Sequence, residues 1–89
     1  SLNVAPPIFL LRDRVVLVTG GARGLGAAIC ATLAAAGALV VVADRAGPEA
    51  EAQAEKLRRA GSVAEALTLD VGNDDEVEAA MAAVGRLYG

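Results

Sequence analysis

The chain has 89 residues, enough for one small domain, and carries 8 basic against 11 acidic residues for a net charge of −3. That balance argues against a nucleic-acid surface, and one Phe and one Tyr offer no platform on which bases could stack. With no histidine and a single cysteine, Cys30, there is no internal disulfide, zinc site or thiol–imidazole pair to propose, so no metal is expected and a reducing cytoplasm is the expected compartment.

Residues 1–10 read as an N-terminal arm. Pro6-Pro7 opposes helix and favours an extended path. Ile8-Phe9-Leu10-Leu11 is too short to cross a membrane and no basic stretch precedes it, so neither a membrane partner nor a signal peptide is expected. The plain expectation is an extension lying over the domain; the sharper one is an arm that binds a partner. Residues 11–89 form the domain itself, and Arg12-Asp13-Arg14 is a polar turn that launches its first strand.

Val15-Val16-Leu17-Val18 then run without polar alternation into a glycine cluster. Such a run suits a central parallel strand covered on both faces. After the cluster Leu25, Ile29, Leu33 and Ala36 recur at helical spacing. The reading is strand, tight glycine turn, helix N-terminus. Helix N-termini present unpaired N–H groups and partial positive charge, which suits a phosphate. Gly20, Gly24 and Gly26 permit positive φ and close approach of a ligand to the backbone. Cys30 lies on this first helix and reads as a packing residue.

Gly37 is placed to end the helix in the left-handed region. Residues 38–43 form a second buried strand ending at Asp44, 18 residues after Gly26. A dinucleotide-binding βαβ unit uses an acid about 20 residues past its glycines to accept the ribose hydroxyls of adenosine. That carboxylate would repel a 2′-phosphate, which favours NAD over NADP, although Arg23 and Arg45 both offer charge to a phosphate. Gly47-Pro48 opens a second helix with Ala50, Ala54 and Leu57 inward and its charges on a solvated face, and Gly61 ends it. Residues 63–69 are a third strand, followed by Asp70-Val71. Asn73 as N-cap and Glu76 in the capping-box position start a third helix whose inner face is Val77, Ala80, Met81 and Val84. The order predicts an α/β fold: a Rossmann-type βαβαβα unit with a parallel sheet in the order 3-2-1. The first two helices share one face and the third crosses to the other.

The spelling Thr19-Gly20-x-x-x-Gly24-x-Gly26 resembles the TGxxxGxG cofactor motif of the classical short-chain dehydrogenases/reductases. The Gly-x-Gly-x-x-Gly form does not fit, because Ile29 stands at its third glycine, and no Gly-Lys-Ser/Thr completes a P-loop. The resemblance runs from Leu11 to Gly89 and covers the cofactor half of the family's domain. It implies a cofactor set of Gly20, Arg23, Gly24, Leu25, Gly26 and Asp44, with Asp70 and Val71 holding the adenine ring, and a dinucleotide, NAD before NADP, as ligand. It also implies a parent enzyme that moves hydride between a nicotinamide and an alcohol or carbonyl substrate. The family's catalytic serine and its Tyr-x-x-x-Lys pair find no counterpart; Tyr88 has no lysine following it. No catalytic residue is therefore assigned, and the 89 residues alone are expected to be inactive. The chain is expected to stop before a fourth strand and to act as a homo-oligomer or as part of a larger chain. The alternative is a stand-alone, non-catalytic dinucleotide-binding or interaction module. A methyltransferase-like domain is a distant third, since its glycines usually stand closer together.

Overall fold

A computed structural model describes residues 13–88. The expected arm, residues 1–10, lies outside the described residues. The elements alternate strictly: β1 (Val15–Thr19), α1 (Gly24–Ala35), β2 (Leu39–Asp44), α2 (Gly47–Arg59), β3 (Ala64–Thr68) and α3 (Asp74–Tyr88). The strands are parallel with β2 in the middle, which is the 3-2-1 order, so among the described residues β1 is an edge strand, half-buried at most, rather than the central one its apolar run suggests.

β2 is central because its side chains suit burial on both faces. Val40, Val41, Val42 and Ala43 are all buried. Val40 and Val42 lose all contact with solvent, worth about 2 kcal/mol each by area. The register places Val16 beside Val40 and Val40 beside Ala64, so one face carries rows from all three strands. α1 and α2 cover that face through Cys30, Ala34, Ala50, Ala54 and Leu57. Their many alanines let the helices sit close to the sheet. The other face carries Leu17, Ala43, Leu67 and Leu69, and α3 covers it through Val77 and Ala80. The third helix thus crosses over, as expected.

α1 and α2 end in the same way. Gly37 (φ 98°) and Gly61 (φ 95°) are left-handed. Gly37 N–H donates to the Ala34 carbonyl and Ala38 N–H to that of Leu33; Gly61 N–H donates to Arg58 and Ser62 N–H to Leu57. Both are Schellman ends, which satisfy carbonyls the helix leaves free.

Three further details differ from the sequence reading. Leu25 and Ile29 are exposed, at 78% and 41%, and the inner face of α1 is buried Cys30 and Ala34 with partly buried Leu33. α1 is apolar all round, so periodicity alone does not select its inner face. Met81 is 57% exposed rather than inward. Arg58 does more than solvate α2. Its Nε donates to the Ala64 carbonyl at 2.8 Å, and its Nη atoms lie 3.2, 3.5 and 3.6 Å from carboxylates of Glu51, Glu55 and Glu65. It fastens α2 to β3.

Candidate functional site

The carboxyl edge of the sheet gathers the candidate residues. Gly21 N–H donates to the Ala43 carbonyl at 3.1 Å, which ties the loop after β1 to the end of β2. Leu69 N–H donates to the Asp44 carbonyl at 2.9 Å and ties the loop after β3 to the same place. Segments distant in sequence therefore meet at one edge.

The glycines of the first loop serve separate ends. Gly20 (φ 65°) and Gly24 (φ 58°) are left-handed, and a Cβ on either would meet nothing within 4 Å. The space above them is open to a ligand. A Cβ on Gly26 would overlap the Gly20 carbonyl oxygen, so only glycine allows α1 to begin so close beneath the loop. Gly21 is buried, and a Cβ there would lie 3.0 Å from Cys30 Sγ. Arg23 precedes α1 in extended conformation, is exposed, and places no side-chain hydrogen bond on the first turn. The amides of that turn keep their partial positive charge. Leu25 projects from the same turn into solvent.

Asp44 ends β2 half-buried beside this loop. Its Oδ1 accepts the Ala46 N–H at 3.0 Å and its Oδ2 accepts the Ala22 N–H at 3.2 Å. These bonds, Ala46 first, hold the carboxyl below the usual aspartate range, helped by the Arg23 charge and opposed by desolvation. The group is ionised at neutral pH. An ionised carboxylate has about four lone-pair positions, so each oxygen keeps one free acceptor.

Asp70 is half-buried at the end of the β3 segment. Its Oδ1 accepts the Gly72 N–H at 2.9 Å, an Asx turn that presents Val71 at 56% exposure. Asn73 Oδ1 accepts the Glu76 N–H at 3.1 Å, half of the expected capping box. The other half is rerouted. The Asn73 N–H already donates to the Asp70 carbonyl, so the Glu76 carboxylate accepts the Asp70 N–H instead, at 3.2 Å. The α3 cap thereby steadies Asp70. Sequence reasoning missed Ala22 and the Cys30 thiol, which donates to the Gly21 carbonyl at 3.7 Å. Burial pushes that thiol upward from its ordinary range, so it stays protonated.

A cleft of about 450 Å³ opens elsewhere, lined by Arg14, Val15, Leu39, Ser62 and Val63 at the amino ends of the strands. It lacks the convergent amides and carboxylates found at the glycine edge, which is the better candidate on chemistry. Among the described residues no group of three or more His, Cys, Asp or Glu could hold a metal ion. No helix there is long and apolar enough to cross a membrane.

A family model described as short chain dehydrogenase matches residues 14–89. The uncharacterized oxidoreductase MT0954 of Mycobacterium tuberculosis (strain CDC 1551 / Oshkosh) is 46% identical over 68 residues, 76% of this chain and 26% of the relative. Fluoren-9-ol dehydrogenase of Terrabacter sp. (strain DBF63) is 42% identical over 76 residues, 85% of this chain and 21% of the relative. The chain thus spans about a quarter of the length of these curated relatives. Among solved structures, a metagenomic short-chain oxidoreductase in complex with NADP superposes with a TM-score of 0.86 at 34% identity, over 89% of this chain and 36% of that one. A TGxxxGxG loop, a Rossmann-type unit and a family match over nearly every described residue agree: the chain belongs to the short-chain dehydrogenase family.

Proposed function

We propose that this chain is the cofactor-binding part of a short-chain oxidoreductase and that it takes NAD in preference to NADP. The observation that supports this reading is the Asp44 carboxylate, ionised, beside the glycine loop, with one free acceptor position on each oxygen. Two acceptors side by side suit the vicinal hydroxyls of a ribose, and the same charge opposes a 2′-phosphate. The pyrophosphate would lie over Gly20 and Gly24 at the N-terminus of α1, with Arg23 and Leu25 beside it and Gly26 below. Asp70 and Val71 would border the adenine. Arg23 and Arg45 are the cations available to a 2′-phosphate, but Asp44 stands with them. Residues 11–89 would form the binding unit, with residues 1–10 as an arm, working in the cytoplasm as a homo-oligomer or within a larger chain. The reaction of the whole protein would be hydride transfer between nicotinamide and an alcohol or carbonyl compound; fluoren-9-ol, in the name of one relative, is a secondary alcohol.

Calorimetric titration of the 89-residue chain with each cofactor tests the reading. NAD is expected to bind more tightly than NADP. Asp44→Ala is expected to narrow the ratio by about tenfold or more, the scale of a lost charge-assisted hydrogen bond. An unchanged ratio in Asp44→Ala removes Asp44 from cofactor choice.

A further inference from the structure

The glycine loop is hinged at both ends. Gly20 and Gly24 are left-handed glycines, and the three residues between them must hold one path for amides and helix end to face a common point. Gly21 is held on two sides: its N–H donates to the Ala43 carbonyl and its carbonyl accepts from Cys30 Sγ. The helix takes over at the Arg23 carbonyl, which receives the Ala27 N–H at 3.3 Å. Between those anchors, among the hydrogen bonds of the described residues, only the bond from Ala22 N–H to Asp44 Oδ2 fixes the loop. It spans 22 positions in sequence, from the β1 loop to the end of β2. A carboxylate acceptor makes it stronger than an amide–carbonyl bond.

We propose that Asp44 is a positioning residue for the glycine loop, through its bond to the Ala22 amide, in addition to any contact it makes with a ribose. The second contact rests on the NAD-binding reading; the first does not. If the carboxylate worked through ribose hydroxyls alone, removing it would leave untouched a ligand without those hydroxyls. As a positioning residue it also governs how such a ligand's pyrophosphate is received, because the loop behind it loosens. One side chain then carries two separable effects: discrimination at the sugar and preorganisation at the phosphate.

Two measurements on the full 89-residue chain separate them. The first needs no variant. The Ala22 and Ala46 amide nitrogens and protons are followed by NMR as pH falls. Both are expected to move with one carboxylate ionisation whose midpoint lies below the ordinary aspartate range, with the guanidinium of Arg23 beside it. An Ala22 amide that does not follow that ionisation overturns the proposal. The second compares NAD with its 2′,3′-dideoxyadenosine analogue in wild type and Asp44→Asn. Asparagine keeps the shape but has one oxygen for the two backbone donors. The analogue is expected to lose about tenfold in affinity, and NAD more. Analogue affinity within twofold of wild type overturns the proposal. Should Asp44→Asn fail to fold, Asp44→Ser, whose hydroxyl can still reach Ala46, replaces it. If wild type binds neither ligand, the NAD reading fails, and the Ala22 titration alone decides the positioning role.

Discussion

Gly24 and Gly26 stand two residues apart and answer to different constraints. Gly24 needs a left-handed backbone but has open space where a Cβ would go. Gly26 has an ordinary backbone but no room, since the Gly20 carbonyl occupies the place of its Cβ. Alanine at the first should cost the left-handed penalty of about 1–2 kcal/mol and leave a folded protein. Alanine at the second should force α1 off the loop, at about 3 kcal/mol or more, a large share of what a domain this small has. Thermal melts of Gly24→Ala and Gly26→Ala, with NAD titrations of whatever folds, check this. Gly24→Ala is expected to stay folded, melting about 4–16 °C lower, and to weaken NAD by about a hundredfold, a larger loss than its cost in stability. Equal losses of binding and stability would make Gly24 a folding residue. Cys30 belongs to the same local economy of space, since its sulfur sits where a side chain on Gly21 would have to go.

The helices differ in how openly their sequences declare them. α2 has polar residues between Ala50, Ala54 and Leu57, so its inner stripe is readable from spacing. α1 has almost none, and its packing face emerges only when a sheet is laid against it. β1 and β2 are legible as unbroken apolar runs, while Glu65 and Thr68 interrupt β3, and Gly20, Gly24, Gly26 and Asp44 are legible as spacing that few folds explain. The Ala22–Asp44 and Glu76–Asp70 bonds were not, because backbone amides have no letter in the sequence. Arg58 was hidden similarly, since its shortest bond is to the carbonyl of Ala64. Two further glycines test the account of the ends. Gly85 lies inside α3 with nothing within 4 Å of a Cβ, so Gly85→Ala should stabilise by about 0.5–1 kcal/mol. Gly61 is left-handed beyond α2, so Gly61→Ala should destabilise by about 1 kcal/mol. Denaturant titrations giving both changes the same sign would refute that assignment.

At the scale of the molecule, β1 has a strand neighbour on one side only among the described residues. Leu25 and Ile29 on α1 and Met81 on α3 add exposed apolar surface. Unpaired edges and apolar patches invite association, and a small chain buries only about 60% of its unfolded surface. The 89-residue chain is expected to sediment as a dimer or larger at micromolar concentration, with the amides of residues 15–18 gaining exchange protection as concentration rises. A monomer with those amides already protected would mean the edge is covered otherwise. The middle strand carries a different consequence. Nearly all valine between Leu39 and Ala43, β2 offers packing little means of telling one alignment against β1 from its neighbour. A slip of a single residue would turn Val40 and Val42 toward α3 and swing Asp44 to the wrong face, out of reach of Ala22. Chains in the slipped alignment would lack the acid at the mouth of the loop. A ligand that needs that acid draws the population toward the correct alignment by mass action, and so proofreads the folding of the strand that holds it.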